Sequence, residues 1–313
     1  MATFPPISAV LRAERLEPPT GTVRMVLDTD TYNEIDDQFA VVYALLSPER
    51  LDVEALYAAP FQNNRSSGPA DGMEKSCEEI LRVTDRLGIG PAGGVFRGSP
   101  GFLPDWEHPF RSEASADLVE RAMGGGDEPL YVAAVGAITN VASAILIEPE
   151  IIGRIVVVWL GGQPLHWPSA REFNLGQDPH ASRVMFDSGV PLVHIPCSGV
   201  ASHLLTSLAE LEECCAGRGA IGDYLVEIFR EYHADHFAWA KEIWDIAAIA
   251  WLLDGSWVPS ELVHSPVLTE GLTWSVDHSR HLVRVATLVH RNPIFRDLFT
   301  KLARFAGEGD GGS

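Results

Sequence analysis

Several things are scarce in this chain of 313 residues. No apolar run approaches membrane-span length before a charge or a proline breaks it, so a spanning helix is not expected. Basic residues are few, 23 Lys and Arg against 43 Asp and Glu, and the formal charge of −20 excludes a nucleic-acid polymer or an anionic membrane as partner, since both require a basic face. A small ligand or a cation stays open. Four cysteines, Cys77, Cys197 and the adjacent Cys214 and Cys215, have neither the paired spacing of a zinc site nor a disulfide framework, and read as reduced thiols. The N-terminus lacks a basic start followed by an apolar stretch and does not read as a signal peptide, so a cytoplasmic location is expected.

What is present is alternation. Apolar, β-branched runs at Val23–Leu27, Leu51–Ala59, Leu130–Val135, Ile155–Leu160 and Val190–Ile195 read as strands. Between them, Ile35–Leu46, Met73–Leu87, Thr139–Ile147 and Ala181–Ser188 read as helices, with Ile35, Phe39, Val42 and Leu46 on one face of the first. Gly and Pro between Gly88 and Pro109 mark a long loop. Helices over Ala220–Tyr232 and Ile243–Leu253 follow, then strands at Val263–Leu268, Leu272–Val276 and Leu282–Val289 and a final helix near Phe295–Phe305. The pattern predicts an α/β fold, a mostly parallel central sheet with helices on both faces, Rossmann-like. One domain is expected over residues 23–306, with an arm at 1–22 and a disordered tail at 307–313. Ligands of such sheets bind at the carboxyl ends of the strands, so functional residues should follow strands.

Asp28-Thr-Asp-Thr-Tyr-Asn-Glu-Ile-Asp-Asp37 places five carboxylates in ten residues directly after the first strand. Two unit charges about 5 Å apart repel by roughly 3 kcal/mol at an effective dielectric of 20, so the loop calls for a cation or for protons. All-oxygen donors favour a hard ion such as Ca²⁺ or Mg²⁺. First-turn acids also complement a helix N-terminus, which accounts for Asp36 and Asp37 taken alone.

The segment VLDTDTYNEIDDQFAVVYALL resembles the N-terminal signature of the inosine–uridine nucleoside hydrolase family, and APFQNN, VGAITNVASAIL, WLGG, REFNLGQDPHAS and IWDIAAIAWLLD follow in the family's order. The resemblance implies Ca²⁺-dependent hydrolysis of the N-glycosidic bond of a ribonucleoside or related ribosyl compound, in a homodimer or homotetramer. By position it makes Asp30 the base and a metal contact. Asp37, the Val135 carbonyl and Asp245 become metal ligands, and Asp28 supports the loop from behind. Asp36, Asn63, Glu172 and Asn174 contact the sugar, with Asn64 an alternative to Asn63.

Three departures stand out. Thr31–Ile35 lengthens the first loop by two residues where the family has Pro-Gly. Trp244 occupies the place of a leaving-group His and is suited to stacking on a base. The loop after Gly162 is short and carries His166, a candidate acid. Tyr232 and His236, one helical turn apart, are expected at the base pocket, His236 as a second candidate acid. Two other readings are open: a non-catalytic ribosyl- or metal-binding homologue, and a Mg²⁺-dependent phosphatase with Asp28-Thr-Asp-Thr as its nucleophile loop.

Overall fold

The computed structural model describes residues 4–309. Strands β1 (Val23–Thr29), β2 (Leu51–Ala58), β3 (Val95–Arg97), β4 (Leu130–Ala134), β5 (Ile155–Leu160), β6 (Leu192–Ile195), β7 (Ser260–His264) and β8 (Leu282–Ala286) form one sheet. Its order is β3-β2-β1-β4-β5-β6-β8-β7, parallel throughout except that β7 runs antiparallel to β8 at the edge. Every residue of β4, β5 and β6 is buried, as expected of parallel strands covered on both faces.

Alternate side chains of each strand enter two separate cores. Met25, Leu27, Val156, Val158 and Leu160 pack against helices α2 (Asp37–Leu45), α3 (Pro69–Leu87), α9 (Gly219–Tyr232), α10 (Ile246–Leu253) and α11 (Arg291–Gly309). Val26, Val157 and Trp159 pack against α4 (Glu113–Gly124), α5 (Thr139–Ile147) and α7 (Pro179–Asp187). Two shorter helices, α6 (Phe173–Gln177) and α8 (Leu208–Cys214), and a first helix α1 (Ala9–Arg15) complete the set. Strand order reverses between β1 and β4, so the crevice beyond their carboxyl ends is the place where this topology binds ligands.

Several boundaries differ from the sequence expectation for identifiable reasons. Helix α2 begins at Asp37 rather than Ile35, because the preceding residues form a turn closed by the Asn33 N–H donating to the Asp30 carbonyl at 2.7 Å. Its whole length is buried, so no single apolar face exists. Helix α3 starts four residues earlier, at Pro69, whose missing N–H is harmless in a first turn. The run expected as one strand at Val263–Leu268 divides between β7 and a two-residue strand, Val267–Leu268. The Gly88–Pro109 loop contains β3, and α4 follows it without having been expected.

The N-terminal arm carries α1, with the Ser8 hydroxyl accepting the Leu11 N–H as its cap. Leu16 is fully buried, and the Arg12 side chain donates to the Gly189 carbonyl at 2.6 Å. Of the expected tail, residues 310–313 lie outside the described residues, while α11 runs to Gly309. No helix among the described residues is long and apolar enough to cross a membrane. Because Leu16 ties the arm into the main core, Leu16→Ala is expected to destabilise by about 3 kcal/mol. A thermal melt should then fall by about 6 °C; an unchanged melting temperature would show the arm to be a mere appendage.

Candidate active site

The end of β1 fixes the first acids. Asp28, its sixth residue, points away from the crevice and accepts a 2.7 Å hydrogen bond from Asn140 Nδ2 on α5. Burial raises its pKa to about 7. The same Asn140 amide donates to the Ala58 carbonyl and accepts the Ser99 N–H, so β1, β2 and the following loop are tied behind the site. Asp30, one residue past β1, turns into a cavity of about 270 Å³. Gly136 lies against it, and a Cβ there would stand 3.0 Å from the Asp30 carboxyl carbon.

Six carboxylates line this cavity, four of them aspartates: Asp30, Asp36, Asp37 and Asp245, with Glu34 and Glu172. Asp36 and Asp37 come from the start of α2, Asp245 from the residue before α10. Oxygens of Asp36, Asp37 and Asp245 all lie within 4.8 Å of one another. At that separation each ionised pair repels by about 3 kcal/mol at an effective dielectric of 20. Accordingly Asp30, Asp37 and Asp245 are held well above the ordinary carboxyl range, by burial first and then by neighbouring carboxylates, Asp36 among them in each case. Burial likewise raises Asp36 to about 7, against the pull of Lys241. For Lys241 burial works against the charge, but Asp36 and Glu34 outweigh it and its pKa is raised.

Oxygen donors without nitrogen or sulfur, one of them (Asp30 Oδ2) buried with no partner, fit a hard divalent cation. The Thr29 hydroxyl donates to Asp37, orienting one ligand. The Val135 carbonyl at the end of β4 also lines the cavity, steered by Asn174 Nδ2, which donates to it at 2.9 Å and to the Leu160 carbonyl at 3.0 Å.

The inosine-uridine preferring nucleoside hydrolase family profile matches residues 25–296. The chain belongs to that family. A pyrimidine-specific ribonucleoside hydrolase, RihA, of Citrobacter koseri is 31% identical over 249 residues, 70% of this chain and 76% of that one. Its counterpart in Salmonella typhimurium is 30% identical over 259 residues, 73% and 79% respectively. Among solved structures, the purine-preferring ribonucleoside hydrolase from Gardnerella vaginalis superposes with a TM-score of 0.73, at 21% identity over 90% of this chain and 99% of that one. A plant nucleoside hydrolase gives 0.72 at the same identity and coverage. These two likenesses bear on the fold.

Within this nucleoside hydrolase fold, Glu172 and Asn174 reach the cavity as expected, but much of their hydrogen-bonding capacity is already used. Glu172 caps α6 by accepting the Asn174 and Leu175 N–H groups, and it accepts the Gly162 N–H at 2.7 Å. Gly162 can present that N–H because its φ of +75° suits a residue without Cβ. Trp244 lines the cavity beside Asp36.

Asn63 and Tyr232 do not line this cavity. They border an adjoining cleft of about 600 Å³, together with Asn64, and Asn63 Nδ2 donates to Asn33 Oδ1 at 2.7 Å. His166 sits exposed on a turn, outside the lining of both. His236 is taken up by packing against Phe229 and Trp239 and by an Nε2 contact of 3.0 Å with the Arg230 carbonyl. Among the described residues, no imidazole lines the cavity.

Several cavity residues have no sequence signal of their own. Gln163 comes from the loop after β5, Phe173 opens α6, and Cys197 and Ser198 come from the loop after β6, while Asn33 and Glu34 belong to the lengthened first loop that the sequence already sets apart. Burial and the nearby Glu172 and Asp245 push the Cys197 thiol well up, so it stays neutral.

Raised carboxyl pKa values mean that the folded, cation-free protein binds more protons than the unfolded chain between the unfolded Asp value near 4 and about 7. Its stability therefore declines as pH rises through that window. A divalent cation should reverse this, because it binds the deprotonated folded site. In chelator-treated protein, adding Ca²⁺ at about a hundredfold excess over its Kd is expected to raise the melting temperature by about 5 °C at pH 7.5, and by much less at pH 5. An equal increment at both pH values would dissociate the cation from these carboxylates.

Proposed function

We propose that this protein hydrolyses the N-glycosidic bond of a ribonucleoside or related ribosyl compound, releasing ribose and the base. The observation that carries the reading is the meeting of Asp30, Asp36, Asp37 and Asp245 in one small cavity at the switch point of the sheet. The ribonucleoside hydrolase names of the sequence relatives support it. So does the volume, just under the roughly 300–1,000 Å³ of small-molecule pockets.

Asp30, Asp37, Asp245 and the Val135 carbonyl fit a divalent cation, for which we propose Ca²⁺. When bound it supplies compensation for the carboxylate charge and acidification of water at that point. Asp30 is the base. Its free Oδ2 takes the proton of the attacking water as the water oxygen bonds to the anomeric carbon. The C–N bond breaks with its electron pair passing to the base nitrogen, which takes up a proton from solvent. The ribosyl group develops positive charge in that transition state, and the surrounding carboxylates stabilise it. Asp36 holds a ribose hydroxyl with Asn174 and Glu172 beside it, and Trp244 stacks against the departing ring.

A phosphatase would need Asp28, the first acid of Asp28-Thr-Asp-Thr, free as a nucleophile, yet it is turned to Asn140 behind the loop. With the reaction we infer, from the family, a homodimer or homotetramer working in the cytoplasm on free nucleosides. Asp30→Asn should retain the fold by circular dichroism and lose at least about 10³-fold in kcat for reducing-sugar release from a nucleoside panel. Full activity in that variant removes Asp30 from the mechanism. Binding of nucleoside with no turnover by the unaltered protein in Ca²⁺ marks a binding homologue instead.

A further inference from the structure

The lengthened loop separates two spaces. Among the described residues, only Asn33 and Glu34 border both the 270 Å³ cavity with its carboxylates and the adjoining 600 Å³ cleft. That cleft mixes aromatic walls, Tyr32, Tyr224 and Tyr232, with charged ones, Arg65, Glu79 and Glu231, and has room for a flat group. It also contains the buried Gln38, whose Oε1 has no partner.

The backbone of the dividing loop is fixed from the side of β2. Arg65 donates to the Glu34 carbonyl at 3.0 Å and lies over the Tyr32 ring at 4.4 Å. Asn63 holds both the carbonyl and the side chain of Asn33. The Glu34 side chain is fixed from the opposite direction. It crosses to Lys241, whose ammonium is 2.5 Å from its carboxylate and sits over the Tyr232 ring at 5.4 Å. Lys241 in turn belongs to a short antiparallel ribbon, Leu205–Thr206 with Lys241–Glu242, and its side chain is 8% exposed against 36% for Glu34. An anchored cation therefore holds a side chain that has room to move.

We propose that Glu34, latched by Lys241, is the specificity-determining wall of this site: it confines the leaving group to the small cavity and shuts it out of the aromatic cleft. The inference rests on the hydrolase reading above. With the latch closed, the protein takes ribosyl compounds whose leaving group is a compact, unsubstituted ring. With the side chain removed, cavity and cleft join, and a leaving group bearing a bulky exocyclic substituent is admitted.

The test is a ratio of kcat/KM values for ribose release, substituted over parent, for N6-cyclopentyladenosine against adenosine and N4-benzoylcytidine against cytidine, in Ca²⁺. Glu34→Ala is expected to raise the ratio at least about tenfold, mainly through KM for the substituted compound. Glu34→Gln preserves the length of the wall and keeps an acceptor oxygen for the Lys241 ammonium, so it should leave the ratio within about twofold of the unaltered protein. Lys241→Met frees the Glu34 side chain without altering the loop, and should raise the ratio by about threefold. The Lys241→Met result stands as the reading if Glu34→Ala does not fold. An unchanged ratio in Glu34→Ala with parent hydrolysis intact, or an equal rise in Glu34→Gln, overturns the wall alone. Absence of ribose release from every compound in the unaltered protein overturns the hydrolase reading and the wall with it.

Discussion

Mutual repulsion among buried carboxylates is the constraint around which this protein is arranged. Asp30, Asp36, Asp37 and Asp245 are at most 4% exposed, and no hydrogen bond within the chain compensates all of them. An isolated buried charge is costly enough that a side chain gives it up if nothing opposes it, which is why every one of these pKa values is displaced upward. A fold retains such a cluster only if its scaffold resists relaxation. Here the resistance comes from β1, buried between β2 and β4, and from α2 and α10, whose every residue is buried. Rigidity is supplied by the apolar layers, and the acids are held in place by it.

The supporting contacts are divided in a consistent way. Polar residues in and behind the cavity wall fix their neighbours: Asn140 the Asp28 carboxylate, Asn174 the carbonyls of Val135 and Leu160, Glu172 the Gly162 N–H. Each such bond orients a group at the carboxyl end of a different strand, so β1, β4 and β5 are coupled at the level of the site. His194 joins the same scheme from the side of β6, its Nε2 2.6 Å from the Gly161 carbonyl, with burial lowering its pKa to about 4 and keeping the ring neutral. The glycine pair between β5 and the Glu172 loop is thus set from both sides.

Legibility in the sequence followed the physics of each element. Strands buried on both faces announce themselves as unbroken apolar runs, and Ile155–Leu160 was readable to the residue. The acids of the first loop were readable because five carboxylates crowded after such a strand repel one another and demand a cation or protons, and Asp245 because a late motif repeated the family order. Helix α2 is buried all round, so amphipathic periodicity had nothing to report about where it begins. The imidazoles were a different matter. His166 and His236 have suitable chemistry, but whether a ring reaches a cavity depends on how a turn and a helix end pack, and Phe229 and Trp239 occupy His236. Lys241 arrives from a two-residue strand and Cys197 and Gln163 from separate loops, with no spacing that links them to β1.

Charge balance around the sugar position follows from the same geometry. The ammonium that pulls on the cluster is Lys241, which acts on Asp36 and is already engaged by Glu34. On the proposed reaction, with all four aspartates ionised around one divalent cation, the cavity is net negative rather than neutral. A neutral cavity would hold a neutral sugar equally well and give its cationic transition state no advantage, whereas residual negative charge fixed in a low-dielectric site favours the cation selectively. Nothing comparable stands on the side of the departing base. Trp244 and Phe173 offer flat apolar surface, and Cys197 is a neutral thiol. On the proposed reaction, the protein's electrostatic contribution is concentrated on the ribosyl half, and discrimination among bases falls to the shape of the opposite wall.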